Sequence, residues 1–253
     1  MGGGHATVPG QAEITAAVAA QTQWMTDVLA RLVAAPTVLG AEEAGQVVME
    51  RALREVGLAP RDVWLDADAL RADPGASPFS WDVSAKRNVV ATWEAGAQGG
   101  RSLILNGHVD VVPPAAPELW SSPPFEPRRD GDWLYGRGAG DMKAGLVAIA
   151  GAVRGLRSLG VAPCADVHLQ SVVEEECTGN GALQALLSGP TADGCVIAEP
   201  HPDHITTSQV GVLWAHVDIA GRPAHAARAS DAGFNAIDAA STVSLRCGSS
   251  RPR

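Results

Sequence analysis

The hydrophobic pattern of the chain alternates between helical and extended segments. Some segments repeat apolar residues at the spacing of a helix, and others are short apolar runs typical of buried strands. Several of the helical segments stop at Gly or Pro, which end helices. The predicted helices are residues 11–35, 41–56, 141–159 and 181–187. The predicted strands are residues 63–65, 88–93, 102–106, 167–173 and 194–198.

The order of these elements predicts an α/β fold built in layers, with ligands near the carboxyl ends of the strands. The pattern changes around residue 208, where a long alternating segment, 210–219, is followed by a turn and a helix over 234–240. We therefore expect a first domain over residues 1–208 and the start of a small α+β domain over 209–253. Within the second, the tail 241–253 has no acidic residue and no sustained apolar period.

Composition narrows the class of protein. A chain of 253 residues with 46% apolar and 19% charged residues is typical of a soluble globular protein. The net charge of −9, spread without long runs, argues against a nucleic-acid partner and favours a small molecule. No apolar run approaches the length of a membrane span, and we find no signal-peptide pattern. The four cysteines lack CxxC spacing, so we expect reduced thiols and a cytoplasmic location.

Candidate chemistry starts at the end of the strand 102–106. The apolar run is followed by His108 and Asp110, which are two residues apart and so share a face. An imidazole can bind a metal through one nitrogen while a carboxylate orients the ring through the other. A single His-x-Asp pair is more often structural or exposed, and its meaning depends on the acidic residues further along the chain.

Acidic residues follow other predicted elements in the same way. Asp141 opens a helix, residues 174–176 are three glutamates that close a strand, and Glu199 closes the next strand. Three adjacent glutamates repel one another, and none has a Lys or Arg close in sequence to offset the charge, whereas a divalent metal would. Oxygen and imidazole ligands suit Zn²⁺, Mn²⁺ or Co²⁺. The Gly-rich turn 136–140 lacks the spacing of a dinucleotide or P-loop motif, so we do not interpret it as a nucleotide site.

Five ordered strings, together with Trp120 and the Pro124-Phe125 pair, resemble the M20 metallopeptidase family of acetylornithine deacetylase, succinyl-diaminopimelate desuccinylase and aminoacylase. The likeness covers roughly residues 20–240. It implies a mixed-sheet catalytic domain with flanking helices, similar to zinc exopeptidases, followed by a lid and dimerisation domain. The strings are Gly107-His-Val-Asp110, Tyr135-Gly-Arg-Gly-Ala-Gly-Asp-Met-Lys143, Val173-Glu-Glu-Glu-Cys-Thr-Gly-Asn-Gly181, Ala198-Glu-Pro200 and Gly221-Arg-Pro-Ala-His225.

The resemblance implies a site for two metals. His108 would bind one metal, with Asp110 orienting its ring, and Glu199 would be the remaining ligand of that metal. Asp141 would bridge the two metals, often with a cis peptide to the next residue. Glu176 would bind the second metal.

The resemblance also implies a reaction. Glu175 would be the general base that takes a proton from water, which then attacks an amide carbonyl. His225 would reach the oxyanion from the partner in a homodimer, and Asn235 is a weaker candidate for contacting substrate. The expected enzyme is a metal-dependent hydrolase that removes an acyl group from an N-acyl amino acid or small N-acyl amine, while the acyl group and the amine stay open.

In the family the catalytic domain resumes after the lid and supplies a last His to the Glu176 metal, but this chain stops at Arg253. We therefore expect one metal to bind well and the other poorly, and the tail to be a frameshifted or prematurely ended product. The alternatives are an inactive fragment that binds at most one metal, or a dipeptidase or carboxypeptidase of the same family.

Overall fold

The computed structural model describes residues 8–96, 99–200, 205–208, 211, 217–223 and 233–248. The chain divides into two compact units, Met1–His204 and Ile205–Arg253. The helices of the first unit are α1 (Gln11–Ala19), α2 (Thr22–Ala34), α3 (Glu43–Glu55), α4 (Ala67–Ala72), α5 (Ala144–Ser158) and α6 (Asn180–Ser188). Its strands are β1 (Arg61–Trp64), β2 (Arg87–Trp93), β3 (Leu103–His108), β4 (Arg128–Asp130), β5 (Trp133–Tyr135), β6 (Val167–Val172) and β7 (Gly194–Ile197).

Five strands form one sheet in the order β1-β2-β6-β3-β7. Strands β1 and β2 pair antiparallel, and β2 also pairs antiparallel with β6. Strand β3 runs parallel to β6 on one side and to β7 on the other. The predicted α/β fold with a mixed sheet and flanking helices is confirmed.

Helices cover both faces of this sheet. Residues Val89 and Ala91 of β2 belong to one buried apolar cluster with residues of α3 and α5. Asn88, which directly precedes Val89, points to the opposite face, because side chains alternate along a strand. Its amide donates to the Gly181 carbonyl of α6, at 2.7 Å. The sheet is therefore the middle layer between α3 and α5 on one side and α6 on the other.

Several predicted boundaries differ from the structure. The single helix predicted over 11–35 is two helices, α1 and α2, divided at Ala20 and Gln21, and no Gly or Pro marks the break. The loop after β1 contains the short helix α4, whose N-terminus is capped by the Asp66 carboxylate accepting from the backbone N–H of Asp68 and Ala69. A two-stranded hairpin of β4 and β5, closed by Gly131 at φ +58°, was also not predicted.

The second unit contains the helix α7 (Ala236–Gly248), which extends well past the predicted end at residue 240 into the tail. A bridge between Arg222 and Phe234 precedes it. The predicted strand over 210–219 lies mostly outside the described residues. Among the helices of the described segments, none combines the length and apolarity needed to cross a membrane.

Thr37, in the loop after α2, holds the segment that leaves β3. Its hydroxyl donates to the Val109 carbonyl at 2.6 Å, and its own carbonyl accepts from the Val111 N–H at 3.0 Å. Helix α3 approaches closely at Gly45, where a Cβ would lie 2.5 Å from side-chain atoms of both Thr37 and Val109. This contact fixes the direction in which the chain continues beyond His108.

Replacing Thr37 with Val should destabilise the protein. The change keeps the shape of the side chain but leaves the buried Val109 carbonyl without its donor, which costs about 1–3 kcal/mol. Thermal or denaturant unfolding measures the loss. Thr26→Val is the matched control, because the Thr26 hydroxyl bonds a carbonyl within α2 at an exposed position. Equal stabilities of the two variants would contradict the prediction.

Candidate metal centre

The parallel strands bring the predicted site residues to one edge of the sheet. The carboxyl ends of β3, β6 and β7 lie at the same edge, because these strands run in the same direction. His108 is the last residue of β3, Glu175 and Glu176 follow β6, and Glu199 follows β7. A common edge therefore collects residues that are far apart in sequence.

His108 is buried, with 1% of its surface exposed. Its Nδ1 lies 2.9 Å from the backbone carbonyl of Asp110. A carbonyl only accepts, so Nδ1 carries the hydrogen and Nε2 keeps its lone pair. Nε2 is fully buried and has no hydrogen-bond partner within the described residues. The ring is thus oriented so that the lone pair of Nε2 can bind a cation.

Carboxylates surround this nitrogen. Nε2 lies 3.3 Å from Asp141 Oδ1, 3.6 Å from Glu175 Oε2 and 3.7 Å from Glu199 Oε1. Two sets of three ligand atoms lie within 4.8 Å of one another: His108 with Glu175 and Glu199, and His108 with Asp141 and Glu176. The four predicted metal ligands are therefore together, and Glu175 is close enough to be a further ligand.

The Asp110 carboxylate was expected to orient the His108 ring, but its hydrogen bonds go elsewhere. It accepts from the backbone N–H of Glu175 and of Glu176, at 3.2 and 3.1 Å. Its Oδ1 lies 3.6 Å from His108 Nδ1, whose hydrogen bond goes to the Asp110 backbone. Asp110 thus holds the imidazole through its carbonyl. Through its side chain it holds the turn after β6 that bears the glutamates 174–176, called here the glutamate turn.

Asp141 lies in the turn of residues 139–143 that leads into α5. The peptide bond between Asp141 and Met142 is cis. Gly138 enters this turn at φ +75°, and a Cβ there would lie 2.4 Å from Val111, so only glycine fits. The Asp141 side chain itself is largely exposed.

Glu174 does not face the site. Its side chain is fully buried, and its carboxylate lies 2.9 Å from the Lys86 ammonium. No Lys or Arg lies near Glu174 in sequence, and the fold supplies its cation from a distant part of the chain, so Glu174 needs no metal to offset its charge. Glu174 has φ +64°, a left-handed conformation that costs roughly 1–2 kcal/mol for a residue with a side chain.

Glu199 is positioned by a close approach between α5 and the end of β7. A Cβ on Gly145 would lie 2.1 Å from the Ala198 carbonyl oxygen. Only glycine at this point of the helix lets the segment bearing Glu199 come near His108. The Ala198 N–H in turn donates to the Asn106 carbonyl of β3, at 3.3 Å.

The collected carboxylates disturb one another electrostatically. Burial raises the pKa of Glu199 to about 7, and repulsion from Glu175, Asp141 and Glu176 adds to this effect. Burial and then Asp141 also raise the pKa of Glu176. For His108, burial lowers the pKa, but the carboxylates of Asp110, Glu175 and Glu199 outweigh it and the net direction is upward. The site as a whole favours added positive charge.

These observations fit a divalent metal ion. An unpartnered imidazole nitrogen facing several carboxylate oxygens is a donor set for Zn²⁺, Mn²⁺ or Co²⁺. Lys143, the nearest cation in sequence to Asp141, does not neutralise the cluster. It is fully buried and donates to the carbonyls of Leu32 and Ala35 at the end of α2, and burial lowers its pKa to about 8.

Other predicted residues are not part of this geometry. His225 lies outside the described residues, so its role stays a prediction. Asn235 is described, and its side chain accepts from the Ile237 N–H at the start of α7. Sequence reasoning missed the supporting residues Thr37, Lys86 and Gly145. The helical pattern gave no sign that Gly145 contacts a strand.

Comparison with known proteins agrees with the geometry. The model of peptidase family M20/M25/M40 matches residues 104–248, more than half of the chain. The chain is 37% identical to succinyl-diaminopimelate desuccinylase of Paracoccus denitrificans over 150 residues, which are 55% of this chain and 39% of that protein. It is 38% identical to N-formyl-4-amino-5-aminomethyl-2-methylpyrimidine deformylase of Bacillus subtilis over 118 residues, 47% of this chain and 28% of that protein. The match spans well under two thirds of either relative.

Solved structures share the fold at lower identity. A tripeptidase from Staphylococcus aureus is 19% identical with a TM-score of 0.57, covering 88% of this chain and 56% of that one. Human carnosine dipeptidase 1 is 22% identical with a TM-score of 0.56, covering 75% of this chain and 41% of that one.

Replacing Gly145 with Ala should displace Glu199 while leaving most of the fold in place. The added methyl cannot coexist with the Ala198 carbonyl, so the segment after β7 must move away from α5. Hydrogen exchange of the Ala198 amide, which bonds β3, should become faster. Gly194→Ala is the control, because a Cβ there would meet only Leu103 at 3.9 Å. Unchanged exchange in Gly145→Ala would refute the prediction.

Proposed function

Because the chain belongs to peptidase family M20/M25/M40, we propose that it is the metal-binding part of a hydrolase that cleaves a linear amide. The substrate we propose is an N-acyl amino acid or small N-acyl amine. The observation that carries the proposal is the buried, unpartnered Nε2 of His108 among the carboxylates of Asp141, Glu175 and Glu199. Deacylation is favoured over peptide cleavage because the two relatives described above, at 37% and 38% identity, are a desuccinylase and a deformylase.

In this proposal His108, Asp141, Glu176 and Glu199 hold up to two divalent ions, with zinc, cobalt or manganese as candidates. A bound ion supplies Lewis acidity, which makes water a better nucleophile and polarises the amide carbonyl. The residues of the chain provide the alignment. Asp110 fixes both the imidazole and the glutamate turn, so the ligands keep their geometry without the ion.

Glu175 is the proposed general base. Its Oε2 lies near His108 Nε2, and its side chain is about half exposed, so a carboxylate oxygen can reach water. The proton leaves water as the oxygen bonds to the carbonyl carbon, and Glu175 returns that proton to the nitrogen as the C–N bond breaks. The products are a carboxylic acid and an amine, which become a carboxylate and an ammonium ion when the acid proton passes to the amine. We assign the donor to the developing oxyanion to His225, contributed by a second copy in a homodimer.

We propose the cytoplasm as the location. Cys164, Cys177 and Cys195 are free thiols, as expected in a reducing compartment. Cys177 follows the glutamate turn directly, but burial and then the charge of Glu174 raise its pKa to about 11. It is therefore a thiol at neutral pH and not a nucleophile.

Metal binding should depend on His108. His108→Ala removes the only imidazole of both ligand sets and should weaken binding of Zn²⁺ about 100-fold or more, since even outer contacts are worth 10–100-fold. Titration calorimetry with the metal-free chain measures the affinity. His168→Ala is the control, because this buried histidine of the same sheet bonds Thr92 and not the carboxylates. Equal Zn²⁺ affinities of the two variants would contradict the proposed site.

The variant Glu175→Gln tests whether Glu175 acts as the general base or as a metal ligand. The amide cannot accept the proton, so kcat for N-acetyl and N-succinyl amino acids should fall by about 10²–10⁴. If Glu175 is the base, the metal content after dialysis stays that of the unaltered chain. A parallel loss of bound metal would mean that Glu175 is a ligand, as its distance to His108 also permits. Exposed Glu126→Gln controls for the change of charge.

A further inference from the structure

We infer that Glu174 is a positioning residue whose buried ion network with Lys86 and Glu42 fixes the turn that brings Glu175 and Glu176 to the metal centre. This inference deepens the proposed function and rests on it for its consequence at the metal. Its structural basis is independent of any metal, because every contact of the network lies behind the site.

Strand pairing brings Lys86 to Glu174. Strand β2 is antiparallel to β6, with Val89 opposite Ser171. Continuing that register past the ends of both strands places Lys86 opposite Glu174. The start of β2 therefore lies at the same edge of the sheet as the end of β6, and the ammonium at this position is supplied by the fold.

The network encloses Glu174 completely. One carboxylate oxygen, Oε1, accepts from the Trp81 indole at 2.7 Å and meets the Lys86 ammonium at 2.9 Å. The other, Oε2, accepts from the Thr178 hydroxyl at 2.9 Å. Lys86 also bonds Glu42, at 2.6 Å, and all three charged residues are buried. Two hydrogen-bonded carboxylates share one cation, and the buried Glu174 carboxylate cannot move out of the network without losing its ammonium, indole and hydroxyl partners.

The backbone of Glu174 is held as firmly as its side chain. Its carbonyl accepts from the N–H groups of Thr178 and Gly179, at 3.0 and 2.8 Å. The residue before it, Val173, donates its N–H to the Asn88 side chain at 3.1 Å. Helix α6 begins directly after this turn, and a Cβ on Gly181 would lie 1.9 Å from the Val173 carbonyl. The turn therefore has no room to slide along the strand.

The same turn presents the two glutamates of the site. The N–H groups of Glu175 and Glu176 bond Asp110 in front of the sheet edge, while the Glu174 side chain bonds Lys86 behind it. The turn is therefore held by Asp110 through its main chain and by Lys86 through the Glu174 side chain. Without the Glu174 side chain, Glu175 and Glu176 would be held against the repulsion among the carboxylates around His108 by the main-chain bonds of residues 173 and 174 and by the Asp110 contacts alone.

Glu174→Ala in the full chain tests the inference. The change leaves Lys86 and Glu42 as a balanced buried pair, so the fold should persist. Exchange of the amides of residues 173–179 in the metal-free protein should become at least tenfold faster, while β3 and α5 keep their protection. Zn²⁺ affinity, measured by calorimetry, should fall at least tenfold.

Two variants separate positioning from general stability. Glu174→Gln should restore most of both readouts, because its amide oxygen still accepts from Trp81 and Lys86 and its amide nitrogen donates to the Thr178 oxygen. Arg87→Met removes the neighbouring buried cation, whose partners are Glu43, Glu50 and Asp62. It should lower the melting temperature and leave both readouts unchanged.

Exchange and affinity within twofold of the unaltered chain in Glu174→Ala would overturn the inference, as would equal losses in Arg87→Met. If the unaltered chain binds no Zn²⁺, the proposed function fails, and the exchange rates alone decide whether Glu174 holds the turn.

Discussion

Hydrogen bonding of β3 to β6 on one side and to β7 on the other holds three strands parallel, and the composition of the site follows from that alignment. Strand β3 ends in His108, and glutamates follow β6 and β7 directly or within a few residues, so one edge of the sheet receives an imidazole and several carboxylates. The main-chain hydrogen bonds of the sheet form even though the side chains that follow the strands repel one another. The backbone therefore imposes on these carboxylates a proximity that they would not adopt by themselves.

The protein compensates negative charge at this edge in two different ways. Behind the edge, Glu174 and Glu42 receive an ammonium, an indole N–H and a hydroxyl, so their charge is satisfied by the fold itself. In front of it, Glu176 and Glu199 have raised pKa values and no such partner among the described residues. A stable interior needs the first arrangement, and a binding site for a cation needs the second. At the glutamate turn only Glu175 lies between Glu174, which belongs to the first arrangement, and Glu176, which belongs to the second.

The sequence predicted the residues of the site better than the residues that support it. Apolar runs that end in His108, Glu174 and Glu199 are local signals, and a parallel sheet converts them into one cluster. The partner of Glu174 could not be predicted, because Lys86 reaches it only through the register of β2 and β6. Burial of Lys143 was equally hidden, since its acceptors are carbonyls of α2. The break between α1 and α2 has no Gly or Pro to mark it, whereas the Asp66 cap of α4 was visible and was overlooked.

Lys86 and Arg87 are adjacent cations that bond different sets of acids, Lys86 the buried pair Glu42 and Glu174, and Arg87 the more exposed Glu43, Glu50 and Asp62. Successive residues at a strand start point to opposite faces, and a slip of β2 by one position would bring Arg87 to the place of Lys86 or, in the other direction, Lys86 to the place of Arg87. In the first case the bulky guanidinium would meet the buried pair Glu42 and Glu174, and in the second case three carboxylates would share a shorter, more flexible lysine. The different partners of the two cations therefore favour the native alignment of β2, at the same edge where the ligands must meet.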